Sequence, residues 1–325
     1  MQKKKILITG SGGFIMSNFI RQAFHTKQPY NIISLDRVRD SRVVQNIYVN
    51  KGHKFFIADI RDPHIVNVIF QAERPDIVLH AAAESFVDSS IDDACPFVTS
   101  NVLGTQIIID ACKQWGVERL IYLSTDEVYG HLTCEIEASW TEDIPLAPRN
   151  PYSASKAAGE HLVRAAYDTH GLQFNITRSC NNYGPWQTPE KFIPKTIKYI
   201  LENKSVPVYG KGEQIRDWIH VFDNCSALFK IISDGKPNET YNISAGQEYS
   251  NLELFQIVCN SLGTGHDLIQ FVDDRPGHDF RYSVDSSKLK KLGWLPEYKF
   301  KAGIKEVTQW YCMNKWFLEN RSRER

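Results

Sequence analysis

The sequence predicts an α/β fold, a doubly wound parallel sheet followed by a smaller mixed α/β lobe, and three observations carry that prediction. Short β-rich apolar runs alternate with stretches of helical periodicity through the first half of the chain. A glycine-rich turn joins the first run to the first helix. Beyond about Tyr183 the elements shorten, punctuated by Gly184-Pro185, Gly210-Lys211-Gly212 and Arg275-Pro276-Gly277.

The six predicted strands are Lys5–Thr9, Asn31–Asp36, Lys54–Asp59, Asp76–His80, Leu120–Ser124 and Phe174–Arg178, each too short for a typical helix. Between them Phe14–Phe24, Pro63–Ala72, Pro96–Gln114 and Ser153–His170 carry apolar residues at spacings of three and four and read as crossover helices. Pro63 suits a first helical turn. With 325 residues the chain has the length of about two domains. The expected division is a dinucleotide-binding domain over 1–183 and a substrate lobe over 184–325, with a return of the chain into the first lobe left open. The polar end Asn320–Arg325 is expected to fray.

Hydrophobic residues at 42% and charged residues at 23% exclude disordered and fibrous classes. No apolar stretch approaches the ~20 residues of a membrane span. Thirty-eight basic and 38 acidic side chains leave no net charge to attract nucleic acid, so an anionic ligand must be held locally. Seven scattered cysteines without a Cys-x-x-Cys pair fit a reducing compartment. No export signal follows Met1, and the cytoplasm is the expected location. Dispersed histidines argue against a metal centre.

Gly10-Ser11-Gly12-Gly13-Phe14-Ile15 turns a strand into a helix, where backbone N–H groups and a helix N-terminus can approach a pyrophosphate. Asp36 closes the second strand, placed to hold the adenosine ribose; its charge repels a 2′-phosphate and favours NAD, although the adjacent Arg37 could turn toward that phosphate. Asp59 closes the third strand. Ser124-Thr125-Asp126-Glu127 sets a hydroxyl and two carboxylates at a strand end, and Tyr152-Ser153-Ala154-Ser155-Lys156 puts phenol and ammonium on one helical face. Lys156 is expected to lower the Tyr152 pKa so that the phenol can take a proton from a sugar alcohol. Taken singly, each feature has a plainer reading. The glycines would suit any tight loop, Asp36 and Asp59 any strand-end turn, Asp126-Glu127 a helix cap, and Tyr152 and Lys156 an amphipathic surface.

In this order the motifs resemble the extended short-chain dehydrogenase/reductase family of nucleotide-sugar enzymes, and within it the dTDP-glucose 4,6-dehydratases. The resemblance runs over nearly the whole chain, through Ser124-Thr125-Asp126-Glu127-Val128-Tyr129-Gly130, Asn181-Asn182-Tyr183-Gly184-Pro185, Pro189-Glu190-Lys191, Gln214-Ile215-Arg216-Asp217-Trp218 and Asp274-Arg275-Pro276-Gly277-His278. It implies an NAD that oxidises C4 of a glucosyl ring and returns the hydride to C6. Tyr152, Lys156 and Thr125 would act at C4, Glu127 as base at C5, and a protonated Asp126 as acid at the C6 hydroxyl.

The resemblance also implies cofactor contacts at Gly10, Gly13, Phe14, Ile15, Asp36, Asp59, Ile60, Ala81, Ala82, Ala83, Ser100, Tyr152, Lys156 and Asn182. It implies nucleotide-sugar contacts at Ser85, Thr125, Asn181, Lys191, Phe192, Pro207, Val208, Tyr209, Arg216, Asn251, Arg275 and His278. Arg216 and Arg275 read as forks on a diphosphate, or else as surface ion pairs, and His278 without the family reads as a satisfied histidine. Three departures stand out. Met16 replaces the third glycine of the turn and is expected to hold the first helix further from the sheet, which bears on NAD affinity. Phe86 and Ser89 stand where many bacterial members have His and Arg.

Asp126 and Glu127 argue against a 4-epimerase, and the complete set of reacting groups argues against a non-catalytic NAD-binding regulator. The resemblance implies dTDP-glucose or UDP-glucose as the substrate. The resemblance further implies a homodimer paired through Pro96–Gln114 and Ser153–His170, whose apolar faces could equally just cover the sheet.

Overall fold

The computed structural model describes residues 3–37, 53–133, 138–274 and 278–319. Arg275, Cys134 and the expected frayed end at 320–325 lie outside the described residues. Strands β1 (Lys4–Thr9), β2 (Tyr30–Asp36), β3 (His53–Ile57), β4 (Ile77–His80), β5 (Arg119–Thr125) and β6 (Phe174–Ser179) fall on the six predicted runs. All pair in parallel. Their buried Val, Ile and Leu side chains face helices on both sides, which is why they read as unbroken apolar runs.

Helix α1 (Phe14–His25) follows β1, and α2 (Pro63–Glu73) follows β3. Asp62 caps α2 by accepting from His64 N at 3.0 Å, and Pro63 occupies its first turn. The predicted helix Pro96–Gln114 is broken: a π-helical turn over Val98–Leu103 precedes α3 (Gly104–Trp115). Gly104 leaves room there for Ile60, since a Cβ would lie 2.6 Å from Ile60 Cδ1. Helix α4 (Pro151–His170) starts on a reciprocal cap between Asn150 and Ser153 and ends at Gly171.

The sheet order is β10-β6-β5-β4-β1-β2-β3. Its seventh strand, β10 (Glu239–Ile243), was not among the predicted runs; it returns from the second half of the chain and pairs in parallel with β6. Helix α6 (Val221–Asp234) returns with it and packs on α1, Phe229 stacking on Phe19 at 4.2 Å. Strand order reverses between β1 and β4, so a crevice opens beyond the carboxyl ends of those strands, where sheets of this kind bind ligands.

The remaining elements form a second lobe. Strand β7 (Asn181–Tyr183) leaves β6 directly and joins β9 (Ile215–His220) and β11 (Glu248–Ser250), while β8 (Val206–Tyr209) pairs with β12 (Ile269–Val272). Helices α5 (Phe192–Leu201), α7 (Asn251–Leu262) and α8 (Phe300–Met313) enclose its own core around Tyr183, Phe255, Ile304 and Tyr311. Among the described residues no helix is long and apolar enough to cross a membrane.

Candidate active site

The turn after β1 is built around Gly10. Its φ is +71°, and a Cβ there would lie 2.7 Å from Ala82 N, so only glycine fits between β1 and β4. Gly13 N donates back to Gly10 O at 3.0 Å, and no side chain caps α1. Phe14 and Ile15 thus begin a helix whose first-turn N–H groups are not taken by a capping side chain. A cradle that excludes even a methyl group, next to such a helix end, fits the pyrophosphate of a dinucleotide. Gly10→Ala is expected to abolish cofactor retention and lower the melting temperature; an alanine variant that purifies with a full complement of cofactor would contradict that.

Asp36 accepts from Gly12 N at 2.7 Å, which fixes the carboxylate at the ribose end of the cradle. Arg37 does not reach across the cradle. Its guanidinium bonds Asp59 at 3.1 Å and Glu84 at 3.0 Å, and Asp59 also takes Arg61. A 2′-phosphate could recruit Arg37 only by breaking both pairs, so this end suits NAD. Asp59 is accordingly occupied by two arginines. Ile60 is buried against Gly104, and Ser100 is buried in the π turn. Ala81, Ala82 and the exposed Ala83 follow β4 along the rim.

Sequence reading missed the device that orders this rim. Thr9 Oγ1 accepts from Ala81 N and Ala82 N, each at 3.1 Å, so its one proton goes to His80 Nδ1 at 2.7 Å. His80 Nε2 then donates to Thr105 Oγ1 (3.0 Å), whose own proton goes to Asn101 O (2.6 Å). Burial, helped by the Lys156 charge, holds the imidazole neutral with its pKa pushed down to about 3.

Strand β5 ends in Thr125, which caps a 3₁₀ turn over Asp126–Tyr129 by accepting from Glu127 N at 3.3 Å. Its hydroxyl also donates to Asp126 Oδ1 at 3.2 Å. Asp126 is 2% exposed, and its Oδ2 has no partner among the described residues. Burial, then the charges of Glu127 and Asp217, hold its pKa well above the carboxylate range, against a smaller opposing effect of Arg216. Asn150, the α4 cap, donates to Glu127 Oε2 at 3.3 Å and so ties the acid turn to the helix carrying Tyr152.

The electrostatics of Tyr152 and Lys156 differ from the sequence expectation. Burial first, and then the Glu127 charge, push the phenol above its ordinary value, with Thr125 acting in the opposite direction. Lys156 sits with Nζ 4.1 Å from the centre of the Tyr122 ring, its pKa pushed down to about 7 by burial and partly restored by Glu160. Asn101 Nδ2 donates to Ser155 Oγ (2.8 Å) and Asn101 Oδ1 accepts from Glu84 N (2.8 Å), fastening α4 to the loop after β4. Beneath the site Arg178 and Glu160, 2% and 0% exposed, form a buried pair at 2.6 Å. Arg178 also donates to Tyr129 Oη at 2.6 Å, and that hydroxyl donates to Asn242 of β10 at 2.8 Å.

On the second lobe Lys191 Nζ donates to Ser85 O at 3.0 Å and lies 4.5 Å from the Phe86 ring centre. Phe192 opens α5 beside it. Arg216 bonds the carbonyls of Ile215, Phe280 and Asp279 at 2.7–3.1 Å and stacks over Tyr282, rather than pairing with Asp217 as a surface residue would. Asp217 accepts from Gln247 N (2.8 Å) and Ser244 Oγ. Asp279 gathers Arg149 (3.0 Å) and the Tyr282 hydroxyl, tying the segment after His278 to the residue that precedes the α4 cap. His278 bonds Asp274 at 2.6 Å and lies edge-on to Tyr209. Asp274 also holds Gln214 (2.8 Å), which Asn251 contacts. Val208 is buried, so strand alternation turns it away from Pro207 and Tyr209. Asn181 and Asn182 follow β6, and Asn182 Oδ1 is a buried acceptor without a partner among the described residues.

Met16 is 1% exposed and part of the core beneath α1, together with Phe19, Ile20 and Ile8. The thioether fills that interior. Met16→Gly is expected to cost roughly 3–5 kcal/mol from the cavity and the helix-interior glycine, measured by denaturant unfolding; an unchanged midpoint would show that the side chain packs against nothing.

The chain matches the family model described as GDP-mannose 4,6 dehydratase over residues 7–307. It is 43% identical over 309 residues to the low-salt glycan biosynthesis protein Agl12 of Haloferax volcanii, spanning 94% of this chain and 98% of that one. It is 40% identical to the dTDP-glucose 4,6-dehydratase of Streptomyces niveus across 97% and 95% of the two chains. Its structure superposes with a TM-score of 0.92 on DesIV, the dTDP-glucose 4,6-dehydratase of Streptomyces venezuelae solved with NAD bound, at 38% identity over 97% of this chain and 99% of that one. A UDP-glucose 4-epimerase of Thermotoga maritima superposes at 0.88 with 25% identity, covering 96% and 99%.

Proposed function

Because the chain belongs to the GDP-mannose 4,6-dehydratase family, we propose that the groups around Thr125 carry out the 4,6-dehydration of a nucleotide-bound glucose, dTDP-glucose first. The enzyme is an NAD-dependent nucleotide-sugar 4,6-dehydratase, a lyase that releases water and leaves a 4-keto-6-deoxy sugar. Bound NAD supplies a hydride acceptor toward C4 and a donor toward C6. Gly10, Gly13 and the first turn of α1 would hold its pyrophosphate and Asp36 its ribose, and Asn182 would offer an acceptor to its carboxamide.

Tyr152 takes the proton from O4 while Thr125 orients that oxygen. Once C4 is a ketone the C5 proton is acidified, and Glu127, steadied by Asn150, removes it. Asp126 gives its proton to the C6 hydroxyl, which departs as water. The observation that carries the reading is the burial of Asp126 beside the Glu127 charge, a carboxyl kept protonated to act as an acid. An epimerase has no use for such a pair.

Lys191 would face the diphosphate, with Ser85, Phe192, Pro207, Tyr209, Asn251 and His278 around the nucleotide, and Arg275 is proposed as a second diphosphate ligand from the sequence alone. Arg216 contributes its charge from a carbonyl-anchored position. The division of labour puts the cofactor on 1–183 with the returning α6 and β10, and the nucleotide-sugar on the rest of 184–325. A homodimer forms through the Pro96–Gln114 and Ser153–His170 segments, supported by Val98 and Leu103, apolar yet 53% and 52% exposed there. The described cysteines are all unbridged, in keeping with a cytoplasmic enzyme. Turnover of dTDP-glucose, UDP-glucose and GDP-mannose, followed by product mass, tests the substrate: the dehydrated product should form fastest from dTDP-glucose, and no loss of water from any of them would refute the proposal.

A further inference from the structure

Two neighbouring residues between Pro148 and Pro151 reach two different parts of the molecule. Asn150 caps α4: its Oδ1 accepts from Ser153 N at 2.8 Å, and its Nδ2 donates to Glu127 Oε2 at 3.3 Å. Arg149, one residue earlier, donates to Asp279 Oδ1 at 3.0 Å. Proline fixes its own φ and confines the residue before it to extended backbone, and Asn150 accordingly has φ −136° and ψ 161°. A dipeptide held in this way has little freedom of its own, so a shift of Arg149 carries Asn150 with it.

Asp279 is a firm anchor for the arginine. It is 2% exposed; its carboxylate also takes the Tyr282 hydroxyl, and its carbonyl takes Arg216 Nη2 at 2.9 Å. The residues after it are laced to both lobes. Ile215 N of β9 donates to Phe280 O at 2.8 Å, Leu132 N donates to Arg281 O at 2.9 Å, and the Arg281 side chain bonds Glu248 of β11 at 2.6 Å. The His131 ring also contacts the Arg149 guanidinium and lies 3.5 Å from Asp279 Oδ1, a longer contact than the arginine makes.

We propose that Arg149 is a positioning residue for Glu127: clamped on Asp279 of the substrate lobe, it sets the place of Asn150 and thereby the direction of the Glu127 carboxylate. The proposal rests on the assignment of Glu127 as the base that removes the C5 proton. The Asn150–Glu127 contact is long for a hydrogen bond to a charged group, so small displacements weaken it. Proton abstraction needs reacting atoms about 3–3.5 Å apart, and a misplacement of about 1 Å costs about 10²-fold. Tyr152 keeps supports of its own: its N–H donates to Ser90 Oγ at 3.3 Å, and Asn101 holds Ser155 on the same helix at 2.8 Å. Loosening Arg149 therefore slows elimination and spares the oxidation at C4.

The test follows reduced nicotinamide and dehydrated sugar by stopped flow after mixing dTDP-glucose with wild type, Arg149→Lys, Arg149→Met, Asp279→Asn and the double variant Arg149→Met/Asp279→Asn, each as the NAD holoenzyme. Arg149→Met should reduce its cofactor at close to the native rate and with an unchanged KM, then eliminate about 10²-fold more slowly, so that reduced nicotinamide builds up beyond the wild-type level. Arg149→Lys should recover part of that loss. Asp279→Asn should also slow elimination, and the double variant should be no slower than the slower single variant, because both changes break one link. Equal slowing of oxidation and elimination in Arg149→Met, native rates for both, or single losses that multiply in the double variant would overturn the proposal. Arg149 is 41% exposed, so its methionine and lysine variants give the answer even where Asp279→Asn does not fold. Wild type that forms no dehydrated product from any nucleotide-sugar instead refutes the underlying assignment.

Discussion

Glu127→Gln reduces its cofactor when mixed with dTDP-glucose and then stops, accumulating the near-ultraviolet absorbance of the reduced nicotinamide. Glutamine keeps the shape of the side chain and still offers an oxygen to Asn150 Nδ2, which donates to Glu127 Oε2 at 3.3 Å, so the turn should hold its place. What it cannot do is accept the C5 proton. Oxidation at C4 needs Tyr152 and Thr125 and goes ahead; elimination needs the base and should fall by about 10²–10⁴-fold. The substitution also removes a charge that raises both Asp126 and Tyr152, which eases the first step and leaves Asp126 less fully protonated for the second. Stopped-flow absorbance with product analysis separates the two phases. Formation of the keto-deoxy sugar at the native rate would remove Glu127 from the role of base.

The second large effect is on stability. Glu160→Gln leaves the Arg178 guanidinium buried beside Tyr129 with its carboxylate partner gone. Breaking a fully buried pair from one side costs about 3–5 kcal/mol, because the remaining charge keeps its desolvation penalty. Replacing both residues together by apolar ones of similar volume should cost much less. Arg178 also donates to Tyr129 Oη, and Tyr129 ends the turn that begins at Asp126, so the loss reaches the acid pair through the turn. Lys156 loses the neighbouring charge that partly restores its pKa, which should move its titration further down. Urea unfolding reads the first effect. A midpoint within experimental error of wild type would show that the pair contributes little.

The parts of this molecule written locally could be read from the sequence. Six strands announce themselves as short apolar runs, and Gly10, Thr125 and Tyr152 sit at strand ends or on helices that those runs define. The seventh strand, Glu239–Ile243, could not be read, because its place beside β6 depends on a chain that leaves the sheet for about sixty residues and returns. The same holds for much of the site's support. Asn101 reaches Ser155, Arg149 reaches Asp279 and Arg178 reaches Tyr129 across separations of 54, 130 and 49 residues, and no local periodicity marks such pairs. The Tyr152–Lys156 spacing gave the shared face correctly but not the electrostatics. Those depend on burial and on Glu127, Asp126 and Glu160, which the fold alone brings near.

Incubation of the purified enzyme with dTDP-glucose in deuterated water, with the product examined by mass and NMR, addresses the twin-acid mechanism most directly. A sugar that has lost one water and carries solvent deuterium at C5 is the expected product. A galactose derivative with all its oxygens would contradict the roles given to Asp126 and Glu127.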